Sequence, residues 1–243
     1  VTPPLASVPF EKLLDVASLR YRKSGITAWQ FGRGKLRHDP LYRAVWERPE
    51  LHRTGTLIDI GCGQGLILAL FLAQQTLAPS SIEIPKLVGV ETRPGIAQIA
   101  RLAVSPPVEI ISADIRHTPL PRSQTVLIFD VLHMMPAVDQ ESVLDAALTS
   151  LEVGGTLMLR EADAAAGWRF RCVALANRLK ALTRGYSSRD FHFRSKDEWL
   201  TVLERKGIQA SAEPMSAGTP FGNVLFVGYK RPLAPGCSDR DEP

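Results

Sequence analysis

Three cysteines in 243 residues, Cys62, Cys172 and Cys237, are too few and too scattered for a disulfide framework or a metal site. The five histidines form no H-x-x-H pair or other ligand spacing. Neither sign of charge dominates: 29 Lys and Arg stand against 25 Asp and Glu, a net +4. That balance is too mild to argue nucleic-acid binding without a concentrated patch. A long membrane-spanning run is missing too. Ile60 to Ile82 carries no formal charge, but three glycines, Gln64, Gln74, Gln75 and Pro79 interrupt it. Its unbroken apolar part, Leu66 to Ala73, is far short of the roughly 20 residues a spanning helix needs. Val1 to Phe10 has no basic start and no apolar centre, so it does not read as a signal peptide. These absences predict a reducing, cytoplasmic location. What is present, 45% hydrophobic and 22% charged residues, is the composition of an ordinary globular chain. The length predicts one domain, or one domain with appendages.

The most informative stretch is Leu57-Ile58-Asp59-Ile60-Gly61-Cys62-Gly63-Gln64-Gly65. A short apolar run meets an acid, three glycines follow, and Leu66 to Gln75 continues as an uncharged helical pattern. That order reads as strand, tight turn and helix N-terminus. There, backbone amides approach a ligand closely and the helix end adds partial positive charge. The dinucleotide fingerprint G-x-G-x-x-G does not fit, because its third glycine position holds Leu66 and Gly65 comes one place early. No Gly-Lys-Ser/Thr is present, which excludes a P-loop. Packing alone is the competing explanation of the glycines.

The rest of the chain is read in order. Residues 1–9 are Pro-rich, and a helical pattern runs from Phe10 and stops before Gly25. Ala28 to Pro40 combines Trp29 and Phe31 with Arg33, Lys35 and Arg37, two glycines and a proline. It reads as a solvated loop, or as a mobile lid whose aromatics cover a substrate and whose bases meet an anion. Leu41 to Glu47 is a short helix. Strands are expected at Thr56–Ile60, Lys86–Glu91, Val108–Ser112, Thr125–Phe129 and Thr156–Leu159. Helices fall between them, at Ile96–Val104 and from Asp139 to Leu151, and Gly154-Gly155 forms a turn. Alternating strands and helices predict a doubly wound, Rossmann-like α/β fold with a mostly parallel sheet. In such sheets the ligand lies beyond the carboxyl ends of the strands. Asp59, Glu91, Asp114, Asp130 and Glu161 all sit at or just past those ends.

With these parts in place, Thr54 to Tyr229 resembles the class I S-adenosylmethionine (SAM) methyltransferases. Asp59 to Gly65 is similar to their cofactor loop. Asp130-Val131-Leu132-His133 and Leu151-Glu152-Val153-Gly154-Gly155 resemble their later motifs. The resemblance implies seven strands, with strands six and seven at Gly207–Glu213 and Asn223–Lys230 and strand seven antiparallel. It implies SAM as cofactor, held by Asp59, Gly61, Cys62, Gly63, Gln64 and Gly65. Glu91 and Thr92 would lie at the ribose, Asp114 and Ile115 at the adenine, with Asp130 and Val131 after strand four. The domain boundaries that follow are a helical lid or substrate cap over 1–52, a SAM-binding domain over 53–231, and a tail over 232–243 whose polar, Pro-rich composition predicts disorder. Phe31 to Pro40, His192-Phe193-Arg194-Ser195 and Pro214 to Leu225 further resemble methyltransferases of bacterial aryl polyene (xanthomonadin-type) pigment clusters. That implies a small-molecule acceptor with an aromatic head group, free or on an acyl carrier protein.

A sulfonium methyl is already activated, so the protein mainly aligns and desolvates, and a base is needed only for an acceptor of high pKa. His133 is the candidate base, against a role as a lining histidine. His192, between Phe191 and Phe193, is the second candidate, with a wall role as the alternative. Tyr21, Trp29 and Arg33 are candidate lid and substrate residues. Cys62 stands where the loop calls for a small residue, so it is not read as a nucleophile. Trp168, Cys172, Leu175, Leu179 and Leu182 form an apolar helical stripe flanked by Arg169, Arg171, Arg178, Lys180 and Arg184. The stripe packs on the sheet with its cations at the edges, or it docks an acidic carrier protein or membrane surface. A SAM-binding protein without catalysis and a dinucleotide-dependent oxidoreductase are the competing functions.

Overall fold

The computed structural model describes residues 8–79, 83–184 and 191–232, the side chains of 177–184 excepted. Seven strands form one sheet: β1 (Thr56–Ile60), β2 (Lys86–Val90), β3 (Glu109–Ile111), β4 (Ser123–Phe129), β5 (Leu151–Ala162), β6 (Ile208–Pro214) and β7 (Asn223–Lys230). Their order is β3-β2-β1-β4-β5-β7-β6. Parallel pairing joins β3 through β5, and β7 runs antiparallel to both β5 and β6. The expected seven-stranded, Rossmann-like sheet is therefore present, with its reversed strand wedged between β5 and β6.

Short parallel strands buried on both faces explain the near-continuous apolar runs. Leu57, Leu87, Leu127, Met158, Leu225 and Val227 face one layer. Ile58, Ile60, Val88, Val126, Ile128, Leu157 and Leu159 face the other. The first layer holds α1 (Phe10–Leu19), α2 (Ile26–His38), α3 (Pro40–Trp46), α4 (Leu66–Leu77) and α5 (Pro94–Val104). Helix α4 is buried all round, from Leu66 to Gln74, which accounts for its lack of charge. The second layer holds α6 (Ala137–Ser150) and α8 (Lys196–Arg205). A capping box of Ser195 and Glu198 starts α8.

Three local expectations need correction. Ala28 to Pro40 is not a loop; it is mostly helix α2, packed against α1 and the first core. Gly32 is what allows this, since a Cβ there would approach the Tyr21 ring at 3.2 Å and Leu66 at 3.3 Å. The glycine that weakened the helical signal is a contact point between helices. Strand β5 begins at Leu151, not Thr156, because Ser123 pairs with Leu151 and the register then jumps to Thr125 with Thr156. Residues 152–155 are a bulge, with Gly154 at φ +76. Finally, the described part of the stripe on α7 (Trp168–Arg184) is not packed on the sheet: Trp168 is 60% and Leu175 59% exposed and Cys172 is half-buried, whereas Val173 is buried; the side chains of Arg178, Leu179, Lys180, Leu182 and Arg184 lie outside the described residues. Among the described residues no helix is long and apolar enough to cross a membrane. The expected tail lies outside the described residues beyond Pro232.

Candidate active site

Strand β1 delivers Asp59 to the sheet edge, and the chain turns into α4 through glycines at φ +70, +57 and +75. Gly61 has no alternative, since a Cβ there would lie 2.3 Å from the Val131 side chain. The glycine loop and the turn after β4 are thus pressed together. The amides of Gly61 and Cys62 donate to the Val90 carbonyl at 2.8 and 3.0 Å, tying the loop to the end of β2. Glu91 therefore lies beside it. The Gly63 amide donates to Glu91 Oε2 at 3.0 Å. Arg93 donates its amide and Nε to Oε1 and its Nη2 to Oε2, each at 2.9 Å. Four donors fill the acceptor capacity of one carboxylate.

Burial opposes the charge on Glu91, but the hydrogen bonds from Arg93 outweigh it and hold the carboxyl below its usual range. Asp59 faces the opposite outcome: burial, then repulsion from Glu91, pushes its carboxyl up to about 8. Burial, then Asp59 and Glu91, likewise raises the Cys62 thiol well above its ordinary value, which keeps it protonated.

This loop suits a nucleoside ligand carrying a cation. A Cβ at Gly63 would meet nothing within 4 Å, so the loop is open on that side. Gln64 Oε1 is buried without a hydrogen-bond partner. Two adjacent buried carboxylates, one of them short of a counter-charge, match the hydroxyls, amine and sulfonium of SAM.

Across the same rim lies a second centre. Arg160 and Glu161 are neighbours on β5, so they point to opposite faces of the sheet. On one face, Glu161 Oε2 lies 2.6 Å from Nδ1 of His133. Glu161 Oε1 accepts the amides of Val131 and Leu132 at 3.1 and 2.6 Å. Leu132, His133 and Glu161 are buried, and Val131 is half-buried. A Glu161 oxygen accepting at Nδ1 corresponds to the tautomer with the ring proton on that nitrogen. The His133 ring stacks on Phe193, with centroids 5.1 Å apart and planes at 11°, and on Phe191 at 6.2 Å. Phe170 meets Phe193 edge-on at 5.1 Å. The segment is fastened by His192 donating its amide to the His133 carbonyl at 2.9 Å, and by Gln140 donating to the His192 carbonyl at 2.7 Å.

A family model described as "Methyltransferase domain" matches residues 29–210. The chain belongs to the methyltransferase-domain family. The dinucleotide-dependent alternative falls with that match. A carboxy-S-adenosyl-L-methionine synthase from Mannheimia succiniciproducens is 28% identical over 108 residues, 42% of this chain and 43% of that protein. The chain therefore spans less than half of this curated relative. An O-methyltransferase family protein from Burkholderia thailandensis superposes with a TM-score of 0.63 at 17% identity, covering 86% of this chain and 62% of that one. Human N-acetylserotonin methyltransferase in complex with SAM gives 0.60 at 16%, covering 93% and 61%. At these identities the two structures show the shared fold. The chain thus carries a methyltransferase domain on the fold these structures share.

The remaining expected residues of this methyltransferase fall in distinct places. Asp114 caps the 3-10 turn Ile115–His117, and Ile115 is buried in the second core. Hydrogen bonds from Arg116, itself bridged to Asp139 at 2.5 Å, draw the Asp114 carboxyl down to about 2. Thr92 is exposed at the end of β2, and Arg33 is exposed on α2. Trp29 is partly buried under Arg22, whose guanidinium lies 4.8 Å from the ring centroid. His192 is exposed, and its neighbouring phenyl rings, not its imidazole, meet His133. Tyr21 is wholly buried and donates its hydroxyl to the Gln64 carbonyl at 3.0 Å.

Asp130 belongs to a charge cluster around the buried Arg160. Arg160 is 2% exposed and clamps Asp39 through both Nη atoms at 2.5 and 2.9 Å. It reaches Asp130 through Nε at 2.9 Å and through a second, shorter contact from Nη2. Lys35 adds a bridge to Asp39 at 2.8 Å. Strand alternation would turn Asp130 away from Arg160, but its backbone is left-handed, with φ +59, and brings the carboxylate back. Arg93, Glu161, Arg160 and Asp39 were not among the expected binding and catalytic residues. Glu161 carried a signal as the fifth strand-end carboxylate. The others had none in the local pattern.

Proposed function

We propose that this methyltransferase moves the methyl of SAM onto the hydroxyl of a small aromatic acceptor, a phenolic head group of the aryl polyene type. The pairing of His133 with Glu161 at 2.6 Å, beneath a wall of phenylalanine rings, carries the reading. SAM, when bound, supplies an activated methyl on a sulfonium. Asp59, Gly61, Cys62, Gly63, Gln64, Gly65, Glu91 and Thr92 hold it, with Asp114, Ile115, Asp130 and Val131 along the rest of the rim. For Glu91 to accept a ribose hydroxyl, Arg93 has to yield one of its hydrogen bonds.

His133 takes the acceptor's proton at Nε2 while Glu161 keeps Nδ1–H in place and stabilises the imidazolium that forms. Phe191, Phe193 and Phe170 offer a planar acceptor stacking and edge-on contacts and keep water from the ring. His192, Trp29 and Arg33 are second-rank substrate residues in this reading.

The acceptor is carried by an acyl carrier protein that docks on α7. Supporting this, Trp168 and Leu175 are exposed beside exposed Arg171, and no acid occurs between residues 164 and 189. The test is a mass-spectrometric assay of phenolic acids, free and carrier-linked, on wild type and His133→Ala. Methylated phenol in wild type and a large loss of rate in the variant at saturating SAM are expected. Cofactor binding with no turnover of any phenol would leave a non-catalytic SAM-binding protein. Arg171→Glu should slow only the carrier-linked acceptor; equal slowing of both, or vesicle binding in place of carrier binding, overturns the docking.

A further inference from the structure

Tyr21 stands far from the glycine loop in sequence but touches it in space. It lies on the 3-10 turn Arg20–Ser24, between α1 and α2, with its side chain wholly buried. Its hydroxyl donates to the carbonyl of Gln64 at 3.0 Å. That carbonyl belongs to the peptide leading into Gly65, where α4 starts without a side-chain cap. The Gly65 amide in turn donates to the Cys62 carbonyl at 2.8 Å. The orientation of one peptide plane therefore sets both the turn and the first amides of the helix.

The tyrosine is itself held on two sides. Arg20 donates Nε to the Ala103 carbonyl at 2.9 Å, near the end of α5. Gly32 on α2 leaves room for the Tyr21 ring and for Leu66, the first residue of α4; a Cβ there would lie only 3.2 and 3.3 Å from them. Burial raises the phenol well above its ordinary value, so it stays a donor.

We infer that Tyr21 is a positioning residue for cofactor binding: its hydroxyl fixes the Gln64 carbonyl, and the N-terminal helices thereby form the back wall of the cofactor loop. This rests on the reading of the loop as a SAM site, and it assigns Tyr21 no contact with the acceptor.

The test is Tyr21→Phe, which keeps the ring and removes only the donor. One lost hydrogen bond is expected to weaken S-adenosylhomocysteine binding by about three- to tenfold. The KM for SAM should rise similarly, while kcat at saturating SAM and the acceptor KM stay within about twofold. Amide hydrogen exchange over residues 61–66 should accelerate in the variant, with or without ligand. Gly32→Ala, which pushes on the same ring, should act in the same direction. Unchanged S-adenosylhomocysteine affinity together with unchanged loop exchange overturns the proposal. So does a rise in acceptor KM or a loss of kcat with cofactor KM unchanged. Wild type that binds no S-adenosylhomocysteine overturns the cofactor site itself, and faster loop exchange in Tyr21→Phe then still shows the brace.

Discussion

Glu161 holds Nδ1 of His133 at 2.6 Å with one oxygen and the amides of Val131 and Leu132 with the other. One carboxylate thus orients the candidate base and shapes the turn that carries it. His133→Ala should lower kcat by about 10²–10⁴-fold, the usual range for general-base removal, with the KM for SAM little changed. Glu161→Gln should also lower kcat strongly, because one amide oxygen cannot accept from both the backbone amides and Nδ1–H, and an NH2 turned to Nδ1 selects the wrong tautomer. Rates at saturating SAM check both, and an unchanged kcat in His133→Ala removes it as the base.

Glu91 should dominate cofactor affinity. It is buried, bonded to the loop through the Gly63 amide, and kept charged by Arg93. Glu91→Gln removes a charge-assisted acceptor, worth about 1.5–3 kcal/mol. Calorimetry should show S-adenosylhomocysteine binding weaker by roughly tenfold or more, and an unchanged dissociation constant would move the ribose site elsewhere.

Asp59 should make stability pH-dependent in an unusual direction. Its folded pKa of about 8 lies above the roughly 3.9 of an exposed aspartate. Between those values the folded chain keeps a proton that the unfolded chain has lost. Stability contributed by this group therefore falls as pH rises through that window and levels off above it. The thermal midpoint should be lower at about pH 8.5 than at about pH 6, and Asp59→Asn should remove most of the difference. A cationic ligand favours the charged carboxylate, so SAM binding near neutral pH should release protons, detectable by calorimetry in buffers of different ionisation enthalpy.

Arg160 is the buried cation between Asp39 and Asp130. Arg160→Met fills the space but leaves both carboxylates with Lys35 as their shared cation, against a cost of about 3–5 kcal/mol for breaking a buried pair. Because Asp130 is one-third exposed, the lower end applies. A drop of about 6–12 °C in thermal midpoint is expected. Asp39→Asn in the same background should recover part of it, since it removes one of the stranded charges.

Much of the fold was legible because it is written locally. Apolar runs ending in Asp59 and Glu91, glycines at 61, 63 and 65, and the charge-free α4 each depend on residues within one strand, turn or helix. Their chemistry follows from period and from backbone freedom alone. Ala28–Pro40 misled for the same reason. Its glycines and bases look like a loop until Gly32 meets the Tyr21 ring, a contact that neither segment announces. The stripe from Trp168 to Leu182 has a clear helical period, but period does not say which way a face points.

By itself, then, the sequence determined the doubly wound sheet, the glycine loop and the row of strand-end acids, since strand, turn and helix signals are short-range. Only the tertiary structure decided which acid serves which partner. It gave Glu91 to Arg93, Glu161 to His133 and Asp130 to Arg160, and it left Asp59 without a counter-charge. Charges act through space and burial, and both are set by how distant segments are brought together. The loop at Asp59–Gly65 that marks the family is held from behind by Tyr21, a residue 43 positions from Gln64.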